Sequence, residues 1–221
     1  MNRILKGIAI ATVAFALLVP TGARAWTAKG ADLVQTGEYV LDVSLGWPEI
    51  RAGVHVPVKE WFEIEPRLTF FYGWGAGANH FTQVALGDTL GVKLKFNVLH
   101  RDRFDVSLEA DPALVFVYPA VNQAKFGFGL QLGLPSATFS YKVIDQLWIM
   151  AGLDMPIAIM FTPSPVGARI PFLFKFGVEW AIKDNLHLVA PIEVGPDIYA
   201  TSGASFVGVA FNVALGIAYR F

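Results

Sequence analysis

From Val207 to the end of the chain, large apolar side chains occupy every second position: Val207, Val209, Phe211, Val213, Leu215, Ile217, Tyr219 and Phe221. Between them stand Gly208, Ala210, Asn212, Ala214, Gly216, Ala218 and Arg220, which are small or polar. A strand sends alternate side chains to opposite faces, whereas a helix would scatter the large ones around its circumference. The 22 residues from Ile198 to Tyr219 carry no charge and are long enough for a spanning helix. Their period of two predicts a strand instead.

The same rhythm recurs upstream. Tyr39, Leu41, Val43, Leu45 and Trp47 alternate with Val40, Asp42, Ser44 and Gly46. Ile50 to Val58 alternates with Arg51, Gly53, His55 and Pro57, and Phe62 to Trp74 with Glu63, Glu65, Arg67 and Thr69. Leu90–Val98, Phe104–Tyr118 and Phe126–Leu134 repeat the pattern, followed by segments near 147–161, 168–182 and 186–195. With the C-terminal segment this predicts about ten strands, within a range of eight to twelve. An even number suits an all-β, closed, antiparallel, up-and-down transmembrane barrel.

The connections sort into two kinds. Lys59-Glu60, 100–103, 142–146 and 183–185 are tight and charged, whereas 75–88, 119–125, 162–167 and 196–205 are mostly longer and hold Gly, Pro, Ser or Asn. Short turns at one end and longer loops at the other fit a membrane barrel. Trp61 and Trp180 fall near the turn end, and Trp47 and Trp74 near the loop end, as interfacial belts would require. Trp148 is in the opposite phase, away from lipid. Six prolines within these segments, Pro57, Pro66, Pro112, Pro156, Pro171 and Pro191, each remove a ladder donor and predict bulges or breaks.

Composition sharpens the choice of solvent. The 221 residues are 54% hydrophobic and 16% charged, against roughly 25% charged in ordinary soluble domains. A soluble barrel would need polar residues on the face opposite its bulky one, yet that face is rich in Gly and Ala. A sheet can enter lipid only if it closes and satisfies its own backbone. There is no cysteine, which excludes a disulfide scaffold. A net charge of −1 without a basic run argues against nucleic acid as a partner.

Residues 1–25 read as a cleaved signal peptide: Arg3 and Lys6, an apolar run from Gly7 to Val19, Pro20-Thr21-Gly22, then Ala23-Arg24-Ala25. Residues 26–36 are then a short periplasmic lead, and 37–221 the barrel. The chain ends Gly216-x-x-Tyr219-x-Phe221. This resembles the C-terminal signature of bacterial outer-membrane β-barrel proteins of the small, porin-like class. The resemblance implies a Gram-negative outer membrane, both termini in the periplasm, and reading of the last strand by the barrel-assembly machinery through β-augmentation.

Ten strands at about 4.8 Å spacing and roughly 40° tilt give a backbone radius of about 10 Å. Inward side chains would then largely fill the lumen. The inward acids are Asp42, Glu63, Glu65, Asp105, Glu109, Asp111, Asp154, Glu179 and Glu193; the inward bases are Arg51, Arg67, Lys93, Lys95, Arg169, Lys175 and Arg220. Lys93 and Lys95 lie between strands bearing Glu63 and Glu65 on one side and Glu109 and Asp111 on the other. Buried charges persist when paired, so an ion-pair network is expected. Two roles follow: a structural barrel, or a narrow pore with charge rings. A docking component of an envelope complex, with periplasmic or outer-membrane partners, is the alternative. A surface enzyme acting on lipid or peptide is more remote, since His80 with Asp197, Ser202 and Ser205 forms no diagnostic spacing. Gly73-x-Gly75-x-Gly77 precedes no helix and is not a phosphate loop. No catalytic residue, cofactor or metal is expected, for want of clustered ligands.

Overall fold

The computed structural model describes residues 26–73, 86–118, 125–133, 136–162, 167–201 and 204–221. The signal-peptide reading, Trp74, His80 and Ser202 lie outside them. The strands are β1 (Val40–Trp47), β2 (Glu49–Lys59), β3 (Phe62–Phe71), β4 (Leu86–Arg101), β5 (Phe104–Ala110), β6 (Ala113–Tyr118), β7 (Gly127–Gln131), β8 (Ser136–Ile144), β9 (Leu147–Asp154), β10 (Ala158–Thr162), β11 (Gly167–Pro171), β12 (Leu173–Lys183), β13 (Leu186–Thr201) and β14 (Ala204–Arg220). No helix occurs among the described residues. β1 pairs with β14 from Val40↔Arg220 to Trp47↔Val213, which closes the sheet.

These segments make ten barrel strands, because four pairs are halves of single strands. β4 pairs with β5 near the turns and with β6 nearer the loops in one continuous register. β7 with β8, β9 with β10, and β11 with β12 are likewise successive halves. The interruptions fall at Pro112, around Gly133, at 155–157 and at Phe172, on four adjacent strands. Proline explains two of them directly by removing the N–H that the ladder needs. Single bonds still bridge the gaps: Val92 N–H to Pro112 O (3.0 Å), Asp111 N–H to Gly133 O (3.1 Å) and Leu132 N–H to Ile157 O (2.8 Å).

The break at Gly133 is a bulge. From Ala113 to Glu109 the fifth strand moves four positions, while its partner moves five, from Gln131 to Ser136. Gly133 carries the extra residue's conformation at φ +57°, and a Cβ there would lie 2.5 Å from both Cβ and O of Asp111. The inward face therefore switches from odd positions (Gly127, Gly129) to even ones (Ser136, Thr138, Ser140). The sixth strand thus continues to Ile144, beyond the 126–134 expected from alternation.

Outside, large apolar residues are exposed on each of the ten barrel strands, Val207 most of all at 68%. Inside, charged and small residues are buried. Trp47 and Trp61 face outward, Trp180 is half-buried, and Trp148 is enclosed in the lumen. Pro66 and Pro191 sit within paired strands, opposite Val92 and Gly177. The lead corrects the sequence reading: residues 26–34 do not lie outside the barrel but are buried within it.

Candidate functional site

The lumen is filled in three tiers, and the lowest is the lead itself. Alternation gives the wall near the turns more inward acids (Asp42, Glu63, Glu65, Asp105, Glu179) than inward bases. The lead supplies the missing donors. Ala28 and Lys29 N–H donate to Glu179 Oε1 and Oε2 (2.8 and 3.0 Å), and Val34 N–H donates to Glu63 Oε2 (3.0 Å). Ala31 N–H donates to Ser140 Oγ (2.9 Å). In return Lys95 Nζ donates to Asp32 O (2.6 Å), and Asn97 Nδ2 donates to Ala31 O (3.0 Å). The lead is held by side chains of the wall and joins no strand ladder.

Histidines stand behind both gripping glutamates. His55 Nδ1 lies 2.6 Å from Glu63 Oε1, and His187 Nδ1 lies 2.8 Å from Glu179 Oε1. Each pair spans one hairpin, so the tight turn fixes its spacing. Trp26 stacks on His187 at 3.8 Å between centroids, and Trp148 stacks on the same imidazole at 5.5 Å. Trp26 Nε1 donates to Asp184 O (3.1 Å), and Arg220, bound to Glu38 (3.1 Å), covers its ring. At the rim, His100 Nδ1 and Asp105 Oδ1 are 2.5 Å apart. Burial, with Asp105 close by, pushes the Asp32 carboxyl up to about 6.

The middle tier is the ion-pair layer. Glu63 and Glu65 pair in register with Lys95 and Lys93, and Lys95 with Glu109. Lys93 Nζ reaches Glu109 Oε2 at 2.8 Å, and Lys175 reaches the same oxygen at 3.3 Å and Thr138 Oγ1 at 2.9 Å. Arg67 pairs with Asp111, Arg51 with Glu49, and Lys29 with Asp42. Ser136 donates to Asp154, and Asn212 Nδ2 to Glu193 Oε2 (2.9 Å). The space left among Arg51, Arg67, Lys93, Glu109, Lys175 and Glu193 is about 30 Å³. That holds about two waters.

Towards the loops the lining becomes apolar, with Phe71, Val115, Val117, Ala158 and Met160 buried against one another. Arg169 grips Asp197 with Nε at 3.0 and 2.9 Å from its two oxygens and covers the Tyr199 ring. Asp197 is thus buried and engaged by arginine, which removes it from the rim set with Ser205. Of the sixteen charges that alternation places inward, Arg220 stands at the turn-end rim against Glu38 and Asp184 O rather than in the ion-pair layer. Gly216 is buried at the seam opposite Ser44, while Tyr219 and Phe221 are exposed at the turn end.

Sequence reasoning missed Trp26, Lys29 and Asp32, because a nine-residue stretch without periodicity gives no placement. The surplus of inward acids near the turns was the available signal. It also missed that the fold gathers Asp42, His55 and Glu65, and separately Asp32, His100 and Asp105, with ligand atoms within 4.8 Å of one another.

No protein-family profile matches the chain, and no curated protein matches it. Among solved structures it is similar to the outer membrane protease OmpT from Escherichia coli (8% identity, 83% of this chain and 93% of that one, TM-score 0.41). It is also similar to the KdgM porin (9%, 83% and 99%, TM-score 0.41). A third is the N-terminal β-barrel domain of Pseudomonas aeruginosa OprF (10%, 83% and 96%, TM-score 0.39). At these identities and scores they assign no residue or activity to the chain.

Proposed function

We propose that the chain is an outer-membrane barrel forming a narrow, charge-lined pore closed by its own lead together with the ion-pair layer above it, rather than an enzyme. Its membrane placement is supported by the continuous apolar outer face over a lumen lined with buried charge. Both termini belong on the periplasmic side, where Tyr39 and Phe221 exchange backbone bonds at the tight-turn end. The assembly machinery would read the strand ending at Phe221.

The observation that carries the gated reading is how residues 26–34 are held. They occupy the lumen through side-chain grips from Glu63, Lys95, Asn97, Ser140 and Glu179 and can leave without breaking the wall. Buried ion pairs can often be replaced by apolar packing with no loss of stability. A wall that keeps this many charges suits a lumen that is wet in its other state. Planar-bilayer recording of the refolded protein tests the reading. The intact protein should be mostly silent, and deletion of 26–34, which also takes Lys29 out of the ion-pair layer and frees its partners to rearrange, should give discrete steps whose ion selectivity shifts on Lys93→Glu. A folded deletion variant that never conducts would overturn the pore and favour a structural or docking barrel.

A further inference from the structure

We propose that Asp42, His55 and Glu65 form a binding site for a divalent transition-metal ion, for which the Lys29 ammonium is a tethered competitor. Asp42 and Glu65 are acids on β1 and β3, His55 stands on β2 between them, and all three are at most 2% exposed. Their ligand atoms lie within 4.8 Å of one another. Two carboxylates and an imidazole are the donor set that suits zinc-like ions.

Three further features point to a ligand. His55 Nε2, Asp42 Oδ1 and Glu65 Oε1 are buried and have no hydrogen-bond partner. The Glu63 carboxylate lies 2.6 Å from His55 Nδ1, an arrangement that keeps a proton on Nδ1 and leaves Nε2 as the nitrogen an incoming ion would bind on displacing its proton. This carboxylate–histidine pairing is the usual orientation of a metal-binding imidazole. Finally, Gly53 stands where any Cβ would come 2.5 Å from Glu65 Oε1, leaving room for that carboxylate.

Lys29 fills the cage poorly. Its Nζ contacts Asp42 Oδ2, but Glu65 Oε1 is 3.8 Å away, and His55 Nε2 stays 3.9 Å from Asp42 Oδ2. The ammonium makes no hydrogen bond to His55 Nε2, which is left without a partner. A divalent ion can take all three ligands, and in doing so it evicts Lys29 and loosens the lead. Metal occupancy and seating of the lead are therefore antagonistic. The ion enters from the turn end as the lead withdraws.

Co2+ is the probe, added to the refolded full chain in detergent and followed by its visible absorption and by tryptic cleavage after Lys29. Saturating Co2+ should speed that cleavage at least fivefold in the unmodified protein. Lys29→Met should bind Co2+ at least tenfold more tightly, and His55→Ala in that background should remove the gain. Folding is checked by heat-dependent gel mobility. Unchanged cleavage together with unchanged affinity in Lys29→Met overturns the proposal. So does binding that survives His55→Ala but is lost on His100→Ala, which would move the ion to the rim cluster of Asp32, His100 and Asp105. If Lys29→Met fails to fold, the cleavage assay on the unmodified protein decides alone.

Discussion

Glu179→Gln isolates the strongest grip on the lead. The Glu179 carboxylate is fully buried and accepts two main-chain bonds, from Ala28 at 2.8 Å and Lys29 at 3.0 Å. Glutamine keeps one carbonyl acceptor but turns an NH2 towards the other peptide donor. One charge-assisted bond is lost and the second becomes neutral, together about 2–3 kcal/mol against the seated lead. Since each 1.4 kcal/mol is tenfold, the unseated population should rise about thirty- to hundredfold. His187 keeps its partner through the remaining carbonyl, so the wall should stay folded. Tryptic cleavage after Lys29, measured under conditions where the barrel keeps its folded gel mobility, reads the change directly. Cleavage within threefold of the unmodified rate would refute the idea that Glu179 holds the lead.

Three other perturbations probe separate links. Burial and Asp105 raise the Asp32 carboxyl to about 6 against 3.8, so the seated lead takes up a proton as pH falls. Below pH 6, and down to about 4, this group's contribution to seating should grow by up to about 1.4 kcal/mol per pH unit, and it is lost again on return to pH 7. Asp32→Asn should flatten that part of the cleavage profile, with Lys95, Asp105 and His100 left in place. Val209→Lys and Phe174→Lys, each on the exposed apolar face, should each cost about 2–4 kcal/mol in reversible unfolding from vesicles if they sit at the midplane. Asp145→Asn in the exposed turn should leave that midpoint unchanged. Gly133→Ala should destabilise the barrel by about 2 kcal/mol or more, because its φ is positive and Asp111 blocks the added methyl.

The wall was legible because its two faces meet different surroundings. Leu41, Val43 and Leu45 against Asp42 and Ser44 already state which side is which, and the pairing of Glu65 with Lys93 follows from neighbouring strands in phase. Legibility failed where the period slipped. At Gly133 one extra residue exchanges the faces, so Ser136, Thr138 and Ser140 point inward on even numbers and their strand was not recognised. It failed again for Trp26–Val34, which is ordered by partners more than a hundred residues away, such as Glu179 and Ser140. The cage of Asp42, His55 and Glu65 was hidden for the same reason: its members come from three strands, and only the register brings them together.

The four interruptions at Pro112, Gly133, the 155–157 segment and Phe172 lie side by side, whereas the seam between β1 and β14 is zipped without a gap. A cylinder scored across four of its ten staves does not flex evenly. Missing rungs lower the bending stiffness of that side, so thermal breathing and lateral pressure from the surrounding lipid concentrate there. The loop-side part of these four strands then behaves as a compliant panel in a stiff hoop, while the join between the first and last strands, with eight unbroken rungs, stays rigid.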